Sequence, residues 1–562
     1  MTHNKAGGYI SNIKFNNGKS VEINKNDIVI FVGPNNAGKS QSLKDIYKLS
    51  GVNEQGMVVS DVTITKYQYP ISTMLDDFAT YEGHGIYKQY HFLDRTYTMA
   101  SYSEEDYQKS AIHSSFRNLF VANLDTATRL LTCLPANNIP RNANKTHPIH
   151  FAAFKPEYRK KLSTNFKKAF GMELIPNTHY GAIIPLCMGE QVTLTEQFDD
   201  EQTRQEAYAG VLEKYKQVHM QGDGIISFTS ILLYLMLDNF CTYLIDEPES
   251  FLHPPQAHIM GQIIGQELSS QQQAFISTHS EDIIKGLLDV CPERIKIIRI
   301  TRDEDVNSFA VLDNRIFNDV WKDPLLKYSN IMSGLFHKSV VLCESDSDCK
   351  MYSIIESHIK QTAGTYSETL FIHCGGKQRM AKIAVALRAL NVDVKLIPDI
   401  DVLNDEATFK KIVSAFDIDW TTIQNDYNVL VSNLHSPKEH IVRKEAQQII
   451  DSILNSSKEN TLSNKEITDI RSTISTLSKW SIIKSTGIAG IPAGDATAAF
   501  NRINQILKNN NIFIVPVGEL ECFIKEIGGH GPDWVNKVIE TYPNLNDNIY
   551  DKIKAFINEL NS

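Results

Sequence analysis

The run Gly33-Pro34-Asn35-Asn36-Ala37-Gly38-Lys39-Ser40 constrains this chain more than any other stretch. It satisfies G-x-x-x-x-G-K-[ST] at every fixed position, the spacing of a loop whose backbone N–H groups wrap a phosphate. Its flanks agree. Ile28-Val29-Ile30-Phe31-Val32 has the apolar character of a short buried strand, and Gln41 to Tyr47 reads as a helix start. The strand delivers the loop, the glycines let the backbone close on an anion, and the helix N-terminus adds its dipole. Asn35, Asn36 and Gly38 belong to this cradle; Lys39 is placed to reach the β- and γ-phosphates and Ser40 to hold Mg²⁺.

Two later segments complete the pattern. Thr242-Tyr243-Leu244-Ile245-Asp246-Glu247 predicts a buried strand ending in two carboxylates. In such a pair Asp246 binds Mg²⁺ through water and Glu247 polarises the attacking water. Pro248-Glu249-Ser250-Phe251-Leu252-His253-Pro254 follows, then a helix from Gln256 to Leu268, then Ala274-Phe275-Ile276-Ser277-Thr278-His279-Ser280, a second strand whose end carries His279 toward the γ-phosphate. Ahead of both, Gln221-Gly222-Asp223-Gly224 opens a helix running through Leu237.

The remaining first half is less specific. Residues 8–32 predict two or three strands, Val58 to Tyr67 another, and Phe116 to Leu134 has helical spacing. Lys155 to Phe170 carries Lys155, Arg159, Lys160, Lys161, Lys167 and Lys168. A solvated amphipathic helix is the commoner explanation, and a DNA-facing patch the rarer one, since no base-stacking aromatic pattern accompanies the charges.

Composition sets the outer limits. The chain has 562 residues, enough for three to four domains by length alone, with 42% apolar and 22% charged residues, as in soluble globular proteins. A net charge of −10 gives no overall basic field, so any DNA contact must come from local patches or bound metal. None of the eight cysteines forms C-x-x-C, which points away from zinc ribbons and disulfide frameworks. No apolar run follows Met1 to Lys5, and the run Ile231 to Leu237 is too short to span a bilayer. The expectation is a cytoplasmic protein without a membrane partner.

The set GPNNAGKS, QGDG, LIDEPESFLHP and STHS resembles the ABC-type ATPase heads of the SMC-like and OLD-type group. In that group the glycine-rich signature acts on ATP bound by a partner protomer; here Gly222 to Gly224 departs from the usual Ser-Gly-Gly. The resemblance implies ATP as cofactor and a homodimer or dimer of dimers. Fewer than two hundred residues separate the P-loop from the signature, and no sustained heptad pattern is visible, so a long coiled-coil arm is not expected.

The chain then starts again. His337 to Glu344 predicts a strand ending in a carboxylate, followed by Ser345-Asp346-Ser347-Asp348 and an amphipathic helix from Cys349 to Ile359. Leu370 to Cys374 is a second strand closed by Gly375-Gly376-Lys377, and a helix from Gln378 to Leu390 leads to Val394-Lys395-Leu396-Ile397-Pro398-Asp399-Ile400-Asp401. This β-α-β-α-β alternation predicts a small parallel sheet with acids at its C-terminal strand ends. Asp399 and Asp401, two apart, share one side of an extended backbone. With Glu344 they form a cluster of like charges that calls for a hard divalent cation, Mg²⁺ or Mn²⁺.

That arrangement resembles the TOPRIM fold, and an ATPase head followed by TOPRIM resembles the OLD (overcoming lysogenisation defect) family. The fold class expected is therefore α/β: an ABC-type P-loop domain at 1–300 with a lobe inserted at 51–215, a linker at 301–335, and a Rossmann-like TOPRIM domain at 336–562 with a helical insertion at 405–480. The resemblance maps Glu344, Asp399 and Asp401 onto metal-binding acids, and Asp348 onto a further acid of the OLD-type version. It also implies a late Lys and a late Glu. Lys484 matches the first, with a surface lysine as the even alternative; Glu521 or Glu519 matches the second, near a returning strand at Asn511 to Val517. Implied with these are two-metal DNA cleavage and antiphage defence, alone, beside a helicase-like partner, or beside a retron reverse transcriptase with its RNA–DNA product. Two rival readings stand beside it. One is a DNA-maintenance ATPase whose TOPRIM unit binds without cutting. The other is a primase or topoisomerase, for which a zinc module or a separate tyrosine-bearing domain is wanting.

Overall fold

The computed structural model describes residues 5–84, 87–100, 102–194, 198–303, 306–311, 330–434, 443–455, 461–463, 466–467, 470 and 479–561. The chain divides into two compact units, Met1–Asp319 and Val320–Ser562.

The first unit is built on a six-stranded sheet in the order Val306–Val311, Ile295–Asp303, Ile28–Val32, Gln273–Ser277, Thr242–Asp246, Val121–Leu124. The first pair is antiparallel and the others parallel. The two central strands, Ile28–Val32 and Gln273–Ser277, are buried at every position, as expected for strands covered on both faces. Complete burial of each large aliphatic side chain contributes roughly 1.5–3 kcal/mol. An antiparallel sheet of Ser20–Glu22, Gly8–Phe15 and Val59–Lys66 stands beside it, and Phe15, Phe31, Leu43, Val62 and Phe309 share one core.

Two expectations for this unit are corrected. Phe116 to Leu134 is not one helix: two short helical turns flank the strand Val121–Leu124, which pairs in parallel with Thr242–Asp246. Its apolar spacing came from a buried strand next to an amphipathic turn, a case that periodicity cannot resolve. Nor does the sheet end at 300. Ile295–Asp303 continues into Val306–Val311, so the first residues of the expected linker belong to the sheet; 312–329 lie outside the described residues.

The second unit carries a parallel sheet in the order Thr369–His373, Ser339–Cys343, Asp393–Ile397. The helices Asp346–Thr362 and Lys377–Arg388 make its crossovers. Residues 511–515 run alongside Asp393–Ile397 rather than forming the full strand expected there. They make one parallel bridge, Leu396 with Ile512, and three backbone hydrogen bonds: Leu396 N–H to Asn511 O at 2.9 Å, Phe513 N–H to Leu396 O at 2.8 Å and Val515 N–H to Pro398 O at 3.1 Å. Pro398 lacks an N–H, and Pro516 does too, so the ladder cannot extend. In the expected insertion, helices span Glu406–Ala415, Gln424–Leu434 and Arg443–Leu454, and most of 456–478 lies outside the described residues.

Candidate nucleotide and metal sites

In the first unit the strand Ile28–Val32 leads into the loop, and the helix Lys39–Leu49 leaves it. The turn needs its glycines. Gly33 has φ 140°, and a Cβ there would lie 2.0 Å from the Ile300 carbonyl; Gly38 caps the helix at φ 102°. Asn36 takes the left-handed conformation at φ 60°. Lys39 Nζ donates to Gly33 O at 3.0 Å and Pro34 O at 2.8 Å, so the ammonium lies over the loop it serves. Burial lowers its pKa to about 8, against the opposing pull of Glu247, Glu249 and Asp246. A second support comes from the corrected strand. Asn307, buried on Val306–Val311, donates Nδ2–H to Ala37 O at 2.9 Å.

Asp246 and Glu247 stand at the C-terminal end of the Thr242–Asp246 strand. The Ser277 hydroxyl donates to Asp246 Oδ1, and Glu247 N–H donates to Ser277 O at 2.9 Å. Glu247 has φ 47°, a left-handed backbone that costs a non-glycine residue of order 1–3 kcal/mol and persists only where its surroundings impose it. The imposing group is Arg129, fully buried on the helix Thr126–Thr132. Its guanidinium donates to Asp246 O, to Glu247 O at 3.1 Å and to Leu124 O at 3.0 Å. Sequence reasoning missed Arg129, because it lay inside the segment read as one helix.

His279 follows the strand end by two residues. Its N–H donates to Glu249 Oε1 at 2.7 Å, which also accepts from Thr278 Oγ1 at 2.8 Å. Burial lowers the imidazole pKa, and Lys39 adds to this while Glu247 and Asp246 oppose it, so the ring lies within electrostatic reach of the cradle. Glu249 is a second residue that sequence reasoning passed over. Burial raises its pKa, and its Oε2 has no hydrogen-bond partner. The helix Asp223–Leu235 starts at Gly222, and a Cβ on Gly224 would lie 2.4 Å from Phe251 O. That glycine therefore lets the helix start pack against the loop that follows Glu247. Of the basic helix Pro156–Phe170, Lys161 pairs with Glu267 at 2.5 Å and Lys167 with Glu173 at 2.8 Å, as on a solvated, internally paired face.

In the second unit, Glu344 follows the strand Ser339–Cys343 and Asp399 lies two residues beyond Asp393–Ile397. Asp399 N–H donates to Glu344 Oε1 at 3.1 Å, which joins the two strand ends. The expectation that Asp399 and Asp401 share a face through extended backbone is corrected: Asp401 sits in a 3-10 turn, Ile400–Asn404, that begins directly after Asp399. The turn still keeps Asp401 at the cluster, held by Lys377 Nζ at 2.8 Å. Lys377 opens the helix after the glycine turn, where Gly375 and Gly376 have φ 66° and 112°. No role was read for it in the sequence.

Lys484 is partly exposed and lies beside the acids. Its Nζ lies 3.2 Å from Glu519 Oε2 and 4.0 Å from Asp401 Oδ2. Glu519 and Glu521 lie close together. Ligand atoms of Glu519, Glu521 and His530 fall within 4.8 Å of one another, and Glu521 Oε1 accepts the Gly531 N–H at 2.8 Å. Asp348 caps the helix that follows Glu344. Its Oδ2 accepts the Ser345 N–H at 2.8 Å in a capping box, while Glu521 and Glu519 add to its electrostatic load.

The protonation pattern of this cluster is that of a site short of positive charge. Burial, then Asp401, raises Glu344 to about 7. Burial, then Glu344 and Asp348, raises Asp399 well above the usual carboxylate range, and burial raises Asp348. The Tyr352 hydroxyl, fully buried and within the field of Asp348, Asp399 and Glu521, has no hydrogen-bond partner. Converging oxygen donors of this kind fit hard divalent ions.

No family model and no curated protein matches the chain. Among solved structures the chain is similar to an SMC head bound to the C-terminal winged-helix domain of ScpA, at 13% identity and TM-score 0.31, covering 54% of this chain and 98% of that one. It is also similar to the SMC head domain of Thermotoga maritima, at 11% identity and TM-score 0.29, covering 55% and 99%. A third is the Smc head with an extended coiled coil bound to the C-terminal domain of ScpA from Pyrococcus furiosus, at 11% identity and TM-score 0.32, covering 56% and 99%.

Proposed function

We propose that the chain is an ATP-binding, metal-dependent DNA endonuclease: an ABC-type ATPase head joined to a TOPRIM-type nuclease unit of the OLD kind. The observation that carries the nuclease half is the convergence of Glu344, Asp399, Asp401, Glu519 and Lys484 at the C-terminal strand ends of one parallel sheet. Glu344, Asp348, Asp399, Asp401 and Glu521 are the residues that would hold Mg²⁺ or Mn²⁺. Two such ions supply activation of water and stabilisation of the leaving 3′ oxygen. The chain's own part is to fix these oxygens before the ions arrive. Asp399 N–H orients Glu344, Lys377 orients Asp401, and Lys484 places a cation beside the acids where phosphate charge develops.

The ATPase half rests on the cradle. Asn35, Asn36, Gly38, Lys39 and Ser40 bind the triphosphate, Asp246 positions Mg²⁺, Glu247 orients water and His279 senses the γ-phosphate. Arg129 and Ser277 hold the Asp246–Glu247 backbone and carboxylate in place beforehand. The working form in this reading is a homodimer or dimer of dimers acting on DNA in antiphage defence, alone or with a helicase-like or retron reverse transcriptase partner.

The test is nicking of supercoiled plasmid with Mg²⁺ or Mn²⁺, with and without ATP. Metal-dependent conversion to open circles is expected. Tight DNA binding with no cleavage under any metal would favour the maintenance ATPase whose second unit only binds DNA.

A further inference from the structure

A cavity of about 220 Å³ opens in the first unit, away from the phosphate cradle. Its lining is mixed: Tyr47, Tyr97, Tyr234 and Phe240 contribute aromatic side chains, and Asp94, Arg95, Asn118 and Asn123 contribute polar ones. Arg95, Asp94 and Tyr47 all act electrostatically on both Tyr97 and Tyr234. The walls are also held in place. Tyr47 Oη donates to Asn118 Oδ1 at 2.6 Å with the Arg117 guanidinium 4.0 Å over its ring, and Tyr97 stacks on Phe116 at 6.3 Å.

Size and chemistry narrow the occupant. The cavity is smaller than the roughly 300 Å³ at which sites for drug-sized ligands begin. Aromatic side chains favour flat π systems, and an Arg guanidinium with Asn amides among them can read hydrogen-bonding edges. A flat heterocycle with such an edge, carrying a small polar appendage, meets these demands.

The position adds a reason for regulation. Tyr47 lies on the P-loop helix, eight residues and so roughly 12 Å along the axis from Lys39. Thr128, another wall residue, precedes Arg129, the clamp on Asp246 and Glu247. Tyr234 lies on the helix that begins at the signature glycines. One small cavity thus touches three helices that carry parts of the nucleotide site. We propose that it is an effector site for a nucleoside, distinct from the ATP cradle and coupled to it through these helices.

Nucleosides lack the phosphates that the cradle grips, so they separate the two sites. Isothermal titration of adenosine, guanosine, cytidine and uridine into the full chain should show at least one binding at one per protomer. Lys39→Ala should keep that binding, whereas Thr128→Phe, which fills the cavity, and Arg95→Ala, an exposed change that spares the fold, should each weaken it at least tenfold. No binding by any of the four at millimolar concentration, loss in Lys39→Ala, or indifference to both cavity variants would overturn the site. With the bound nucleoside at saturation, phosphate release from ATP should change at least twofold; an unchanged rate would overturn the effector role. Absence of phosphate release without nucleoside would count against the ATPase reading alone, and the titration would still decide the cavity.

Discussion

The two sites solve opposite electrostatic problems. In the first unit every acid at the cradle has been given a donor: Ser277 for Asp246, Ser250 for Glu247 at 3.2 Å, Thr278 and His279 N–H for Glu249. Lys39 rests on carbonyls that a bound phosphate would replace as its partners. In the second unit, six acids crowd together and two lysines, Lys377 and Lys484, answer them. The first site sets a buried lysine over its loop, while in the second burial and neighbouring acids raise Glu344, Asp348 and Asp399. What distinguishes the second cluster is its balance of charge: its acids have donors, as those of the first site do, but two lysines face six carboxyl groups.

The largest effects that sharpen this contrast fall on the cradle. Lys39→Ala should weaken ATP binding at least about 100-fold, since a buried charge-assisted contact to phosphate is lost. Glu247→Gln should bind ATP and hydrolyse it at least about 100-fold more slowly, the scale of a lost general-base contribution. Nucleotide-binding titration and phosphate release distinguish the two phenotypes, and wild-type behaviour in both would break the account of the first site.

A middle-sized effect comes from the second cluster. Removing an uncompensated buried carboxylate should stabilise the metal-free protein, so Asp399→Asn should raise its melting temperature by several degrees while abolishing the further rise that Mn²⁺ gives the wild type. The pH dependence follows from Glu344. Its native pKa, about 7, exceeds the ordinary carboxylate value, so the native state binds its proton more tightly than the unfolded chain. That stability is present at low pH and is lost as pH climbs from about 4.5 to about 7. Metal-free protein should lose melting temperature over this window through this group, and Mn²⁺ should offset the loss. Thermal melts with and without Mn²⁺ across pH 5–8 check this; a metal-free protein that gains stability over the window in wild type but not in Glu344→Gln would contradict the sign.

The smallest effect is Arg129→Met. It removes the side-chain donor to the carbonyls of Leu124, Asp246 and Glu247, the last of which keeps the Ser250 N–H at 3.0 Å, and should cost about 1–3 kcal/mol. Phosphate release should fall through kcat with KM for ATP close to wild type, because Lys39 and Ser40 are untouched. A change confined to KM would mean that Arg129 serves nucleotide binding and not the geometry of Glu247.

Local motifs were legible because spacing alone determines their geometry. The P-loop, Asp246–Glu247 and Glu344 each sit where a strand ends, and strands of this kind betray themselves by apolar runs. Arg129, Asn307 and Lys377 were not legible. Each acts across a long sequence separation, with Arg129 reaching backbone more than a hundred residues away and Asn307 bracing a loop 270 residues earlier. A side chain that donates to a distant backbone leaves no periodic trace in the sequence. Asp401 shows the converse: its place was foreseen through extended backbone, yet a 3-10 turn and Lys377 keep it at the cluster. Lys484 and the pair Glu519 and Glu521 could be matched but not chosen, because only the fold brings them beside Asp401 and Asp348.

The central claim is that the two sites hold separate chemistries. The most direct measurement is a paired assay of Glu344→Ala: plasmid nicking with Mn²⁺ and phosphate release from ATP, on one preparation shown to be folded by circular dichroism. The account predicts nicking reduced at least about 100-fold, at or beyond the top of the range for losing a mere outer-shell contact, with phosphate release within twofold of wild type. Normal nicking would refute the assignment of Glu344 and its neighbours as the nuclease site. Loss of both activities in the folded variant would contradict their separation.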